Sequence, residues 1–264
     1  MQGQYASTRA LSLNRDIPSD VYLLHDPHTV TVFDKFPKAK YHFLVLPRLP
    51  FSNTTAADAS DAESRSDSDL STDPAPPSSS PSHPAVPASA LTSLHALLST
   101  VPAVTSLHVL RILQQTSLEV VEMIKDEMLK TEGFEWGIQV GFHAVPSMRT
   151  LHLHVISTDF VSPSLKVKKH YTSFHPMLGF FLPLDSVIQS LDKQANSNAS
   201  TFDLQKYRST NGPKSWEAIL KSDLGCWRCG QVFGNMPTLK RHLEDEWMRL
   251  KSAAASTRKA ADPR

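Results

Sequence analysis

Residues 51–90 limit where this chain can build a folded core. They are mainly Ser, Ala, Asp and Pro and include almost no large apolar side chains. Such a segment cannot bury enough apolar surface to offset the entropy lost on ordering it. We therefore expect a disordered, acidic insert that loops out of one folded domain, since long surface insertions add little closure entropy. The core must then be assembled from the segments on either side.

The insert also changes the meaning of the net charge. The chain has 27 Lys and Arg against 26 Asp and Glu, a formal net charge of +1. Six of the acidic residues and one basic residue fall within 51–90, which leaves 26 basic and 20 acidic residues elsewhere. A basic body favours contact with phosphate groups. Two cysteines exclude a disulfide-rich scaffold, and the absence of a long apolar run predicts no membrane partner.

Hydrophobic patterning predicts an α+β fold. Short runs of β-branched and aromatic residues, separated by turn signals, predict strands at 21–24, 29–33, 41–46, 135–142 and 151–156. Helical spacing of apolar residues predicts helices at 91–100, 104–130, 184–193 and 215–222. We expect about five antiparallel strands with helices on one side, and a break between the first two helices at Pro102.

Cys226 and Cys229 begin a spacing that is typical of a zinc finger. Twelve residues separate Cys229 from His242, and three more separate His242 from Glu246. On a helix, positions 242 and 246 share one face, and zinc also binds carboxylate oxygen. No His follows residue 242, so we predict Glu246 as the fourth ligand, with Asp245 as the alternative. With four protein ligands, the predicted zinc ion, one per chain, is structural.

Other interpretations of the two cysteines stand beside the zinc site. They could be reduced structural thiols next to an amphipathic helix, or a redox Cys-x-x-Cys motif, although no thioredoxin-like βαβ pattern surrounds them. Basic residues flank the motif on both sides. This favours contact with a phosphate backbone, while a solvated helix face alone would explain part of the charge.

A second group of polar residues lies on the last predicted strand of the sheet. Thr150, His152 and His154 point to one face of that strand, while the apolar residues between them point to the core. His143 and Ser147 precede them in a loop that can fold over the same face. Three interpretations remain open: a metal site, simple packing, and attack on phosphorus by one imidazole while its neighbour stabilises charge. The strand supplies no acidic third ligand for a metal.

The segment HAVPSMRTLHLHVISTDFVSPSLK, at residues 143–166, resembles the catalytic core of the aprataxin branch of the histidine-triad superfamily. Upstream, DKFPKAKYHFLVLP at 34–47 is similar to that family's nucleotide-binding strand pair, and KKHYTSF at 168–174 continues the match. The Cys2His-Glu finger is similar to that of fungal members. The resemblance covers about residues 20–50 and 91–250.

The resemblance implies a DNA-repair hydrolase that reverses abortive ligation. Its substrate would be DNA that carries AMP on its 5′ end through a pyrophosphate, and AMP would be the product. The family pattern makes His152 the nucleophile that forms a covalent histidine–AMP intermediate. His154 would donate to the non-bridging oxygens, and His143 would position or protonate the leaving phosphate. No metal takes part in the chemical step in this scheme.

The same resemblance implies four substrate contacts. Ser147 and Lys166 would hold phosphate oxygens, Asp34 would accept from the ribose hydroxyls, and Lys38 would reach the phosphate of AMP or DNA. Each has a structural alternative: a turn cap for Asp34, solvated surface for Lys38, a turn or N-cap for Ser147, and any phosphate contact for Lys166. His42 alternates with core residues, and we expect a partly buried structural histidine there.

Three features depart from the family pattern, and one of them is the insert at 51–90, which interrupts the histidine-triad domain. The first position of the triad is Thr150, whose hydroxyl can donate a hydrogen bond but cannot exchange protons near pH 7. The N-terminal helix that would stack on the adenine is not evident in residues 1–20, so the chain could begin late in the gene.

These inferences combine into one domain scheme. A histidine-triad catalytic domain is predicted over 1–183, interrupted by 51–90, followed by a DNA-binding region over 184–264 with the finger at about 223–250. The substrate implies a location in the nucleus, and a finger packed on the catalytic domain implies a monomer. Two rival functions are a histidine-triad hydrolase or phosphoramidase of small adenylates, and a non-enzymatic zinc-finger DNA-binding protein.

Overall fold

The computed structural model describes residues 22–51, 85–196, 207 and 214–261. A six-stranded sheet forms its centre, and all neighbouring strands pair antiparallel. The strands are β1 (Tyr22–His25), β2 (Thr29–Phe33), β3 (His42–Pro47), β4 (Ile138–His143), β5 (Leu153–Ser157) and β6 (Phe181–Pro183). Their order across the sheet is β1-β2-β3-β5-β4-β6. The predicted α+β class is confirmed, with one strand more than the sequence predicts.

The described residues also form helices on both sides of Pro102 and farther along the chain. They are α1 (Leu94–Thr100), α2 (Ala103–Thr131), α3 (Lys168–Phe174), α4 (Leu184–Asn196), α5 (Lys214–Leu220) and α6 (Met236–Ala261). As predicted, Pro102 separates the first two helices. Helices α1, α2 and α4 pack their apolar residues against one face of the sheet. Among the described helices, none is both long and apolar enough to cross a membrane.

β3 and β5 place alternate side chains on opposite faces of the sheet. Phe43 and Val45 of β3, with Leu153 and Val155 of β5, lie in the core under α1, α2 and α4. The residues between them, including His154, therefore face away from this core. The strand pattern thus builds a hydrophobic face and an imidazole-bearing face from the same two strands.

β6 lies at the edge of the sheet and depends on a glycine in β4. A Cβ atom at Gly141 would lie 2.4 Å from the backbone oxygen of Leu182, closer than any side chain tolerates. Gly141 pairs with Pro183 of β6 on one side and with His154 on the other. The absence of a side chain therefore lets β6 pair with β4 beside the imidazole face.

Both ends of the predicted 51–90 insert are folded, which differs from the expectation. Phe51 and Val86 are buried and form a β-bridge, in which the backbone N–H of Val86 donates to the oxygen of Phe51 at 2.9 Å. The chain then enters a 3-10 turn at Ala90–Thr92. These few apolar residues are enough to attach the two ends to the core. Residues 52–84 lie outside the described residues.

The C-terminal segment folds into a small ββα unit. β7 (Leu224–Gly225) and β8 (Val232–Phe233) pair antiparallel and lead into α6. Asn235 caps this helix, since its Oδ1 accepts from the backbone N–H of Thr238 at 3.0 Å. Leu239 is fully buried beneath the two strands.

The ββα unit packs on the face of the sheet opposite α2. Leu224 and Leu239 share an apolar cluster with Ile156 of β5 and Tyr171 of α3. The Tyr171 hydroxyl donates to the backbone oxygen of Gly225 at 2.8 Å and accepts from the N–H of Trp227 at 3.0 Å. The unit is therefore docked on the sheet through both apolar and polar contacts.

Candidate active site and zinc site

The imidazole-bearing face of the sheet borders a cleft of about 1110 Å³. Most of the residues predicted to catalyse or to bind substrate line it: Asp34, Lys38, His143, Ser147, His154 and Lys166. His152 does not line the cleft but lies next to it. The fold therefore brings together side chains from the β2–β3 loop, β4, β5 and the segment before α3.

His42 determines where His154 carries its proton. The backbone N–H of Lys38 donates to Nδ1 of His42 at 3.2 Å, which leaves the ring proton of His42 on Nε2. This Nε2 lies 3.0 Å from Nδ1 of His154 and donates to it. His154 must then carry its own proton on Nε2, a buried atom with no hydrogen-bond partner among the described residues. That N–H can donate to an oxygen of a ligand in the cleft.

His152 has the opposite tautomer. Its Nδ1 lies 2.7 Å from the backbone oxygen of Thr150 and donates to it, so Nε2 carries the lone pair. The His152 ring is 4.9 Å from that of His154, and its Nε2 has no partner in the described part of the chain. His152 is 3 % exposed and lines a cavity of about 10 Å³ beside the cleft. His143 and Pro146 line both spaces.

Phe174, at the end of α3, packs against three imidazoles. Its ring centroid lies 4.4 Å from that of His143 and 5.1 Å from those of His42 and His154. Burial lowers the pKa of His42 to about 4 and the pKa values of His143 and His154 well below the ordinary value. Burial also lowers the pKa of His152, although the hydrogen bond to the Thr150 backbone acts in the opposite direction and raises it. The cluster is therefore neutral at pH 7, as a nucleophilic imidazole requires.

The buried neutral cluster makes the protein less stable in mild acid. An unfolded histidine takes up a proton near pH 6.5, whereas His42 in the folded state resists protonation until about pH 4. The free energy of unfolding should therefore fall as the pH drops from 6.5 to 5, with His42 contributing up to about 1.4 kcal/mol per pH unit. Denaturant titrations of wild type and His42→Gln at several pH values measure this slope. The slope should become shallower in His42→Gln but not in the exposed control His25→Gln; equal slopes in all three would contradict the assignment.

The loop between β2 and β3 contributes Asp34 and Lys38. Oδ1 of Asp34 accepts from the backbone N–H of Phe36 at 2.7 Å, so Asp34 does cap a turn. Its Oδ2 remains on the side of the cleft, 3.7 Å from Nε2 of His42. Lys38 is 8 % exposed, and burial lowers the pKa of its ammonium group, opposed by Asp34. The solvated-surface alternative for Lys38 is therefore wrong.

Ser147 and Lys166 lie at the exposed rim of the cleft. Lys169 and His170 of α3 also line the cleft, and Glu217 of α5 adds one carboxylate to its lining. No individual role was predicted from the sequence for these residues of α3 and α5. The motif KKHYTSF was the only signal for the two α3 residues, and nothing in the sequence pointed to Glu217.

The four predicted zinc ligands come together, each with one ligand atom within 4.8 Å of the others. Sγ of Cys226 lies 3.2 Å from Oε2 of Glu246, and Sγ of Cys229 lies 3.3 Å from Nε2 of His242. Tetrahedral zinc, with bonds of about 2.0–2.3 Å, holds its ligand atoms about 3.3–3.8 Å apart. The donor set therefore fits zinc, and Glu246 rather than Asp245 belongs to it.

Asp34, His42 and His154 also offer three ligand atoms within 4.8 Å of one another. A cation there would need lone pairs on Nε2 of His42 and Nδ1 of His154. However, the bond from the Lys38 N–H leaves a proton on Nε2 of His42. The atoms are already arranged as a hydrogen-bond relay, so the geometry favours the relay over a metal site.

Comparisons with known proteins agree with this description. Residues 84–170 match the family described as "Scavenger mRNA decapping enzyme C-term binding", and residues 177–249 match "C2HE / C2H2 / C2HC zinc-binding finger". Aprataxin of Gallus gallus is 31% identical over 227 residues, which cover 86% of this chain and 51% of the relative. Aprataxin of Ciona intestinalis is 30% identical over 225 residues, covering 85% and 42%.

A solved structure matches most of the fold. It is described as the crystal structure of the aprataxin ortholog Hnt3 in complex with DNA, and it matches with a TM-score of 0.56 and 27% identity. The match covers 90% of this chain and 92% of that chain. By contrast, the chain spans about half or less of the length of the first curated relatives that it matches.

The antiparallel sheet with its clustered imidazoles, joined to a zinc-binding finger, defines a histidine-triad protein. The finger follows the histidine-triad fold in the same chain and is docked on its sheet. The chain belongs to the aprataxin family.

Proposed function

We propose that this chain is a DNA-repair hydrolase that removes AMP from the 5′-adenylated DNA ends left by abortive ligation. The observation that carries the proposal is the pair of opposite tautomers at His152 and His154. One imidazole presents a lone pair on Nε2, and its neighbour 4.9 Å away presents an N–H donor. Attack on phosphorus needs this combination of nucleophile and oxyanion donor.

In the first step, Nε2 of His152 attacks the phosphorus of the AMP moiety. A phosphorus–nitrogen bond forms, and the bond to the bridging oxygen of the pyrophosphate breaks. The DNA leaves with its 5′-phosphate, which the neutral imidazole of His143 positions. The bond from Nδ1 of His152 to the Thr150 backbone oxygen stabilises the positive charge that develops on the attacking ring. Nε2–H of His154 stabilises negative charge on the non-bridging oxygens.

In the second step, water attacks the phosphorus of the histidine–AMP intermediate. The phosphorus–nitrogen bond breaks, His152 regains its lone pair, the proton lost by the water passes to the solvent, and AMP is released. His42 acts through His154, because its hydrogen bond keeps the His154 proton on the nitrogen that faces the substrate. Thr150 takes part through its backbone oxygen only, so the missing histidine at this position does not prevent the chemistry.

The side chains around the cleft would bind the two halves of the substrate. Asp34 would accept from the ribose hydroxyls of AMP through Oδ2, while Lys38 would hold a phosphate close to the imidazoles. Ser147 and Lys166 at the rim would hold phosphate oxygens of the DNA end. His152 lines the small cavity that shares His143 and Pro146 with the cleft, so substrate binding would have to join these two spaces.

DNA as the partner is supported by the finger and by the relative solved with DNA. Cys226, Cys229, His242 and Glu246 would hold a structural zinc ion, which would fix the fold of the ββα unit. We place the catalytic unit at 1–183 and the DNA-binding region at 184–264. The protein would act as a monomer, in the nucleus.

The proposal is tested by comparing two substrates. AMP release is measured from a 5′-adenylated nicked duplex and from a small AMP–lysine phosphoramidate, each at about 50 and 200 mM salt. At low salt we expect kcat/KM for the duplex to be at least about tenfold higher than kcat/KM for the phosphoramidate. The value for the duplex should then fall steeply as the salt concentration rises, because contacts to DNA phosphates release counterions. The small substrate should respond weakly to salt.

The two rival functions give different results in the same assay. Faster turnover of the phosphoramidate, with no salt effect on either substrate, would identify a hydrolase of small adenylates. Binding of the duplex without release of AMP from either substrate would identify a DNA-binding protein without enzymatic activity.

A further inference from the structure

The segment 34–40, between β2 and β3, is held in place by contacts at several points of its backbone. The N–H of Lys40 donates to Oδ1 of Asp159 at 2.9 Å, and the hydroxyl of Ser162 donates to the backbone oxygen of Pro37 at 2.5 Å. The N–H of Lys38 donates to His42, as described above. We call this segment the nucleotide loop, because in the proposed function it carries the side chains that bind AMP.

One further contact reaches the nucleotide loop from the finger helix α6. Nζ of Lys40 lies 4.2 Å from the ring centroid of Trp247, which is only 7 % exposed. Nζ of Lys40 also forms an ion pair with Glu132, at the end of α2. Glu132 in turn binds Lys251 of α6 at 2.7 Å, and the two lysines hold the pKa of this carboxyl below its usual range.

A second route connects Trp247 to the same loop. Trp247 packs edge-on against Trp136, with ring centroids 5.8 Å apart. The indole N–H of Trp136 donates to Oδ2 of Asp159 at 3.0 Å, and the other oxygen of that carboxylate holds the Lys40 backbone. Trp247 therefore contacts the nucleotide loop directly at the side chain of Lys40. It is also connected indirectly to the backbone of Lys40, through the side chains of Trp136 and Asp159.

We propose that Trp247 is a positioning residue for the nucleotide loop, so that docking of the finger helix sets the affinity of the cleft for AMP without any contact to DNA. Trp247 is not among the residues that line the cleft; it acts through Lys40 and Trp136. A cation held over an indole ring resists displacement more strongly than a lysine without such a contact, even where part of the side chain is exposed, as it is in Lys40. The inference rests on the proposed function only in taking this loop as the one that binds AMP.

Two variants on opposite sides of the contact test the proposal. Trp247→Leu keeps an apolar side chain in α6 but removes the indole face, and Lys40→Gln removes the cation without altering the finger. We expect either variant to weaken the binding of AMP, measured by calorimetry, by about 3- to 10-fold. Met248→Ala, a neighbour in α6 that is 60 % exposed, is the matched control and should bind AMP as wild type does.

Hydrogen exchange separates positioning from general destabilisation. The amides of Lys38 and Lys40 donate to His42 and Asp159, so loosening of the loop should speed their exchange while the amides of β5 remain protected. The conservative variants Trp247→Phe and Lys40→Arg should restore part of the AMP affinity. Unchanged AMP affinity and loop exchange in both Trp247→Leu and Lys40→Gln would overturn the proposal. Neither readout depends on turnover, so a failure here is distinct from a failure to release AMP from DNA.

Discussion

Replacement of His152 by alanine is expected to lower the rate of AMP release from a 5′-adenylated nicked duplex by at least about 10⁴-fold. The reason is that His154, its neighbour on β5, does not present a lone pair in the same way. The proton on Nε2 of His154 is fixed by the relay from His42, so His154 cannot take over the attack without a tautomer change. The affinity for the duplex should change little, since His152 is buried beside the cleft.

Single-turnover experiments on wild type and variants measure this prediction. In wild type, a quench before the second step should leave AMP attached to the peptide that contains His152, through an acid-labile phosphorus–nitrogen bond. The adduct should be absent in His152→Ala and should form slowly in His154→Ala, which retains the nucleophile but loses the oxyanion donor. His25→Ala, an exposed histidine outside the cleft, is the control. An adduct mapped to any other residue, or normal turnover by His152→Ala, would exclude His152 as the nucleophile.

Much of the sheet could be predicted because the alternation that indicates a strand lies within the sequence of that strand. Alternation along β3 and β5 separates core residues such as Val45 and Val155 from the imidazole face, and this pattern can be read from either strand alone. The three-residue β6 could not be read in this way. β6 forms because Gly141 lets the chain approach β4 closely. The three residues of β6 show no sequence pattern that would indicate this approach.

The residues of the site could be predicted from the sequence, but the hydrogen bonds and packing contacts between them could not. The sequence supplied His152 and His154, but not the fact that His42 determines the tautomer of His154. That contact joins residues 112 positions apart, through strands whose register pairs Leu44 with His154. The role of Phe174, which desolvates the cluster, likewise depends on how α3 packs. The finger is the opposite case, because its four ligands lie within 21 consecutive residues.

Substitution of Cys226 by serine is expected to reduce the zinc content from about one ion per chain to almost none and to unfold the ββα unit. The affinity for nicked duplex DNA should then fall by at least about tenfold, because the basic surface of the unit loses its arrangement. Atomic absorption measures the zinc, hydrogen exchange over residues 224–243 reports the fold, and a duplex titration gives the affinity. Asp245→Ala is the matched control: its carboxylate is exposed and lies outside the donor group. Full zinc occupancy in Cys226→Ser would contradict the assignment.

Variants of Glu246 test whether this residue is the fourth zinc ligand, and Glu246→His replaces one type of zinc ligand with another. The apolar core of the ββα unit is small, whereas structural zinc contributes about 10–16 kcal/mol of apparent binding free energy in comparable fingers. Burial raises the pKa of the Cys226 thiol to about 11, so zinc must displace a proton to bind, and its occupancy should fall in acid. Since imidazole is also a good zinc ligand, Glu246→His should keep the metal and the fold, whereas Glu246→Ala should weaken both. If Glu246→Ala kept wild-type zinc affinity, the carboxylate would be a neighbour of the metal and not its fourth ligand.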